Sequence, residues 1–234
     1  MDIGGFQKNS LIDFPGTISC IIFTQGCNFF CPYCHNPDLV ASPKKAGNHL
    51  YDEHQIFQFL EKRKGFLEGV VITGGEPTLQ KDLISFCTTL KTLGYKLKLD
   101  TNGTHPDIVR QLIENQLVDF ISMDIKTSLE NYHLVASKNF NTRNIRDCAR
   151  LLMEKAQAYE FRTTCCRPFV SPGIIHEIGR MTQGATRYIL QKCSQNVTVL
   201  DPQFLKSENT FFSDKEMLEL KNILDSHVSQ VVVR

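Results

Sequence analysis

Cys27, Cys31 and Cys34 stand in a C-x3-C-x2-C run, Cys27-Asn28-Phe29-Phe30-Cys31-Pro32-Tyr33-Cys34. Three thiolates this close along the chain reach one metal centre. A closed zinc site or an ordinary electron-transfer cluster takes four protein ligands. No fourth cysteine and no paired histidine lies at local ligand spacing, which argues against a non-catalytic zinc or iron–sulfur module. Three cysteines on a cubane cluster leave one iron without a protein ligand, and an open iron can bind and activate a small molecule. The rest of the chain must then supply that molecule's binding groups.

The elements that position the run alternate between strand and helix. A first strand, Ser19 to Thr24, ends at Gly26, immediately before Cys27. Asp52 to Lys64 reads as a helix with Ile56, Phe57 and Leu60 on one face. Gly69 to Thr73 reads as a buried strand stopped by Gly74-Gly75, and Lys81 to Leu93 as a helix closed by Gly94. Tyr95 to Asp100, Val118 to Ile125, Glu160 to Cys165, Arg187 to Leu190 and Val231 to Val233 follow as strands. Pro106 to Asn115, Asn144 to Ala158, Pro172 to Met181 and Asp214 to Ser226 are the intervening helices, the last capped near Ser213. Strand–helix alternation predicts an α/β fold with a parallel sheet and right-handed crossovers. About six βα units fit, so the expected architecture is an open, partial TIM-like barrel of (β/α)6 type. One domain over 1–234 accommodates it: an N-terminal segment 1–17, a core 18–200, and a C-terminal helix and strand in 201–234. Ligands of such sheets bind at the carboxyl ends of the strands, where the polar motifs sit.

Composition limits the partners. The net charge is +1 and the apolar fraction 41%, which is enough for a substantial core and carries no nucleic-acid or membrane signature. The start Met1-Asp2-Ile3-Gly4-Gly5 has neither a basic nor an apolar leader region, so a cytoplasmic location is expected. Nine cysteines, an odd number, argue against a disulfide framework in such a chain. Adjacent Cys165-Cys166 reads as strand, with side chains on opposite faces. Cys20, Cys87, Cys148 and Cys193 read as ordinary thiols. His49, His54, His105, His133, His176 and His227 show no metal-ligand spacing.

The cysteine run with Tyr33 before its last cysteine, followed after the next buried strand by Gly74-Gly75-Glu76-Pro77, resembles the radical S-adenosylmethionine (SAM) superfamily. The resemblance implies a [4Fe–4S] cluster on Cys27, Cys31 and Cys34, with the amino and carboxylate groups of SAM on the fourth iron. One electron from the cluster then cleaves the sulfonium, giving a 5′-deoxyadenosyl radical. Around it, Glu76 accepts from the SAM ammonium, and Tyr33 lies against adenine or packs the loop. Gly74 and Gly75 allow close backbone approach. Asp100 and Asn102 offer ribose contacts, although Asn102-Gly103 is also a plain turn signal. Met123-Asp124-Ile125-Lys126 resembles the Asp-x-Lys of glycyl-radical-enzyme activases, where the lysine meets the SAM carboxylate. Arg162 and Gln191 lie on later strands and complete the set. Where those activases often carry a histidine, this chain has Tyr188-Ile189-Leu190-Gln191. His35, directly after the last cysteine, shapes the cluster loop.

Gly4 to Gly16, Phe23 to Asn28 and Cys31 to Pro37 together are similar to the activating proteins of anaerobic ribonucleoside-triphosphate reductase, in their pyruvate-formate-lyase-activase-like branch. This implies abstraction of a glycine Cα hydrogen from a partner reductase, with flavodoxin or ferredoxin as electron donor. Asp13 is then a candidate contact to the target peptide, or else a turn aspartate before Pro15-Gly16. No cysteine occurs between Asn36 and Thr73, which disfavours activators with a ferredoxin-like insert. Activation of pyruvate formate-lyase or another glycyl radical enzyme stays open, as does small-molecule chemistry of the carboxy-deazaguanine synthase type.

Overall fold

The computed structural model describes residues 1–41, 51–136, 140–195 and 197–234; His49 lies outside them. Eight strands form one sheet whose order follows the chain. They are β1 (Ile3–Ser10), β2 (Ser19–Thr24), β3 (Gly69–Gly74), β4 (Lys96–Thr101), β5 (Phe120–Asp124), β6 (Tyr159–Cys165), β7 (Tyr188–Lys192) and β8 (Val231–Val233). β1 runs antiparallel to β2, whereas β2, β3 and β4 are parallel, as are β6, β7 and β8. β1 and β8 are the two edges, so the sheet is open. The helices are α1 (Glu53–Arg63), α2 (Leu83–Thr92), α3 (Pro106–Glu114), α4 (Arg143–Lys155), α5 (Pro172–Met181) and α6 (Asp214–Asp225). Among the described residues no helix is long and apolar enough to cross a membrane.

The chain builds two compact units, both discontinuous in sequence. The first holds Met1–Asn28, Asp38–Thr101 and Asp107–Ile121; the second holds Phe29–Pro37, Asn102–Pro106 and Ser122–Arg234. In the first unit, Val70, Val71 and Ile72 of β3 and Leu97 and Leu99 of β4 are fully buried. Strands covered on both faces read as continuous apolar runs, and each such side chain contributes about 1.5–3 kcal/mol of transfer free energy. α1 starts where Asp52 accepts from the His54 amide at 3.0 Å. α2 ends at Gly94, whose φ of +91° stops the helix. In the second unit Phe161, Tyr188, Ile189 and Leu190 are buried. There α6 opens with a capping box, Ser213 N donating to Glu216 Oε2 and Glu216 N to Ser213 Oγ.

Two differences from the sequence-based expectation stand out. β1 falls in the N-terminal segment 1–17, where the sequence assigns no strand, because Gly4-Gly5 and Gln7-Lys8-Asn9 break any alternation. It is an edge strand held by its pairing with β2 rather than by its own propensity. β5 begins two residues later than expected, because Asp119 turns its carboxylate onto Lys91 Nζ (3.0 and 2.9 Å) and the Leu97 amide (2.7 Å).

Candidate active site

The first unit carries Cys27, the glycine pair, Glu76 and Asp100. Cys27 N donates to Val40 O at 3.1 Å and Gly26 N to Leu39 O at 2.8 Å, which closes the loop after β2. Gly75 N donates to Thr24 O at 2.9 Å and Glu76 N to Gly26 O at 2.8 Å. A Cβ on Gly75 would stand 2.1 Å from the Gly26 carbonyl oxygen, and one on Gly74 would stand 2.4 Å from Thr24 N. The close approach these glycines allow is thus to the chain's own loop before Cys27. Gly74 also has a φ of +119°, outside the range of ordinary side chains.

Glu76 is only 1% exposed. Its Oε1 accepts from the Thr78 amide (3.1 Å), the Thr78 hydroxyl (2.6 Å) and the Thr101 hydroxyl (2.8 Å). Asp100, near the end of β4, pairs with Lys98 two residues earlier on the same strand face. The Lys98 side chain is 2% exposed, so its charge is committed to that carboxylate. Asp13 lies elsewhere in this unit. Ser10 pairs with Ser19 at the start of β2, and Ser19 pairs with Gly69 at the start of β3. Asp13 therefore stands at the amino ends of these strands, and Thr24 and Gly74 at the carboxyl ends. It accepts from the Ser10 hydroxyl, while Ser10 Oγ accepts from the Ile12 and Asp13 amides at 3.2 Å. That is turn chemistry.

The second unit carries Cys31, Tyr33, Cys34, His35, Asn102, Asp124, Lys126, Arg162 and Gln191. Cys31 is buried, and Cys34 N closes a turn onto Cys31 O at 3.0 Å. Leu200 N donates to Cys34 O (3.2 Å) and Asp201 N to Pro32 O (3.0 Å), so the loop after β7 fixes the cysteine loop. Tyr33 packs between Phe169 (5.2 Å, edge-on) and Phe204 (6.1 Å). Its buried hydroxyl has no hydrogen-bond partner of normal geometry. Asn102 Oδ1 accepts from the Thr104 amide (3.1 Å) and hydroxyl (2.7 Å), the turn alternative of the sequence reading.

Asp124, the last residue of β5, receives Arg162 Nε on Oδ1 at 2.8 Å and Lys126 Nζ on Oδ2 at 3.0 Å. Burial pushes its carboxyl up, but the Arg162 and Lys126 charges outweigh this and hold it well below the usual carboxylate range. Burial likewise pulls Lys126 down, and the Asp124 charge more than reverses it. Two cations thus flank one carboxylate. Lys126 N donates to the hydroxyl of fully buried Tyr132 at 3.1 Å, which anchors the chain just beyond β5. Burial raises the Cys31 thiol, and the Lys126 charge opposes that rise. A nearby cation favours the thiolate that iron requires. His35 is exposed, and its imidazole is lowered first by partial desolvation and then by the Lys126 charge. Gln191 pairs in register with Thr164 on the strand next to Arg162.

These donors fit the expected cofactors. Among the described residues no three Cys, His, Asp or Glu side chains converge as ligands of one ion. A cubane cluster instead places each thiolate on its own iron, and no cysteine is tied up in a disulfide. Lys98 and Thr78 escaped the sequence reading; the i, i+2 spacing of Lys98 and Asp100 within one strand is the signal that would have found the first.

Residues 21–177 match the family model described as the radical SAM superfamily. A protein of Methanocaldococcus jannaschii, provisionally named a glycyl-radical enzyme activating enzyme, is 30% identical over 99% of this chain and 95% of its own length. A pyruvate formate-lyase-activating enzyme of Listeria monocytogenes is 33% identical over 62% of this chain and 61% of its own. Among solved structures, SuiB of Streptococcus suis bound to S-adenosylmethionine aligns with a TM-score of 0.61 at 14% identity, over 90% of this chain and 48% of that one. TYW1 with a lysine-pyruvate adduct aligns at 0.60 and 16%, over 91% and 74%. At these identities the structural likeness shows the fold alone.

Proposed function

This chain belongs to the radical SAM superfamily, whose cofactors are a [4Fe–4S] cluster and SAM, and to the glycyl-radical enzyme activating enzymes; we propose that its partner is an anaerobic ribonucleotide reductase. The observation that carries the site assignment is the cationic Asp124–Lys126–Arg162 group in the same unit as the buried Cys31 thiol. The motif of the N-terminal 37 residues supports the choice of reductase.

In this reading Cys27, Cys31 and Cys34 hold the cluster. Bound together, cluster and SAM supply one-electron cleavage that ends in hydrogen-atom abstraction from carbon. The chain's own groups bind and orient. Lys126, steered by Asp124, donates to the SAM carboxylate, and Arg162 keeps Asp124 ionised. Glu76 accepts from the ammonium while Thr78 and Thr101 hold its carboxylate in place. Asp100, fixed by Lys98, accepts from a ribose hydroxyl. Tyr33, Gln191, His35 and Asn102 shape the surrounding loops, and Asp13 shapes the turn at the opposite ends of the strands. The substrate is a backbone glycine of the partner, presented at the carboxyl ends of the strands. A reduced flavodoxin or ferredoxin delivers the electron.

The test is anaerobic incubation of cluster-loaded protein with SAM, a reductant and either anaerobic ribonucleotide reductase or pyruvate formate-lyase. A glycine-centred doublet in electron spin resonance is expected with the reductase. A doublet with the lyase alone would change the partner. A reduced cluster that never cleaves SAM would overturn the site assignment.

A further inference from the structure

Three cysteines outside the C-x3-C-x2-C run gather at the carboxyl ends of β6 and β7. The parallel register pairs Arg162 with Ile189, Thr164 with Gln191 and Cys165 with Lys192. Cys166 and Cys193 each follow directly on that last pair, so the register carried one residue further sets them opposite each other. Paired residues on neighbouring strands project from the same face, with strands about 4.8 Å apart, inside the span of about 4.4–6.8 Å between the Cα atoms of a disulfide. Cys166 Sγ donates to Thr164 O and Cys193 Sγ to Ser194 O, both at 3.9 Å, and both residues are buried. Cys165 belongs to the opposite face, where its thiol donates to Thr163 O at 3.7 Å. Arg162, Thr164 and Cys166 share the face on which Arg162 meets Asp124. The thiol pair therefore extends the row that holds Arg162 and Gln191, and nothing in the proposed reaction uses it.

We propose that Cys166 and Cys193 are a redox-active pair that closes to a disulfide by exchange with a low-molecular-weight disulfide. Cys193 gives its proton to the solvent, and its thiolate attacks one sulfur of the small disulfide and displaces a thiolate. Cys166 gives its proton to the solvent, and its sulfur attacks the Cys193 sulfur and displaces the second small thiolate. The two protein thiols lose two electrons and two protons, and the small disulfide is reduced to two thiols. Excess small thiol runs the exchange backwards. The inference rests on the β6–β7 register and stands whichever partner the protein activates.

The experiment uses cluster-loaded full-length protein, held anaerobically over a series of oxidised-to-reduced glutathione ratios. Remaining thiols are alkylated, the chain is cut under non-reducing conditions, and the peptides are weighed. The expected product is a peptide containing Cys165 and Cys166 linked to one containing Cys193, accumulating with oxidised glutathione and lost with excess reduced glutathione. The link persists in Cys165→Ser and is lost in Cys166→Ser, where Cys193 carries a glutathione adduct instead. Full alkylation of Cys166 and Cys193 in the wild-type chain at the most oxidising ratio overturns the proposal. So does a link that survives in Cys166→Ser. Should Cys166→Ser not fold, Cys193→Ala gives the same reading, and the wild-type series decides by itself.

Discussion

Lys98-Leu99-Asp100 and Asp124-Ile125-Lys126 use one spacing to opposite effect. In the first unit the lysine precedes its aspartate inside β4, shares its face, and is 2% exposed. In the second unit the lysine follows its aspartate, lies past the end of β5, and is 17% exposed. A lysine within a strand is spent on its neighbour, whereas one beyond the strand end keeps a donor to offer. Arg162 adds a second cation to the Asp124 carboxylate. The same pair of residue types is thus closed within one strand and partly open beyond another.

The contrast breaks first at the buried pair. Lys98→Met leaves the Asp100 charge unpartnered by lysine, and a loss of about 3–5 kcal/mol is expected, measured by denaturant unfolding. SAM affinity of the folded fraction should change far less than in the next variant. Lys126→Met removes the offered donor. Calorimetry on cluster-loaded protein should show SAM binding weakened roughly tenfold to a hundredfold, the equivalent of about 1.5–3 kcal/mol for a charged hydrogen bond. Equal effects of the two lysines on SAM would erase the distinction between them. Gly75→Ala tests the backbone approach to Gly26 and should lower stability by about 1–3 kcal/mol, visible as a lower melting temperature.

The second unit's charges also fix a pH window. Asp124 titrates below its unfolded value, so its contribution is complete above about pH 4 and is lost as pH falls further. Lys126 titrates above its unfolded value, so its contribution is complete below about pH 10 and is lost above that. The stability difference between wild type and Asp124→Asn should therefore be flat across that window and shrink on the acid side. The smallest effect is expected at Asp13. Asp13→Asn should cost about 1 kcal/mol of turn stability and leave SAM binding unchanged; weaker SAM binding would contradict its place at the amino ends of the strands.

The fold was legible where hydrophobic pattern and punctuation agree. Gly69 to Gly75, the Asp52 and Ser213 caps and the stop at Gly94 all appear where the residues demand them. β1 was not legible, since an edge strand of mixed residues exists only through its partner. The motifs at the strand ends were legible, because each is continuous in sequence. The hydrogen bonds that hold them were not. The Thr101 hydroxyl on Glu76 spans 25 residues and the Arg162 guanidinium on Asp124 spans 38, distances over which spacing carries no signal.

The sequence by itself determined the chemistry: three thiolates on one short loop, a Gly-Gly-Glu turn after a buried strand, and an Asp-x-Lys beyond another. These are local, so residue type and spacing suffice to specify them. Only the tertiary structure decided which charges are spent and which are offered. It buried Lys98 and left Lys126 partly open. It sent Asp13 to the far end of its strands, and brought Cys166 against Cys193. Each of those outcomes depends on strand register and strand length, which arise from pairing between segments far apart in the chain.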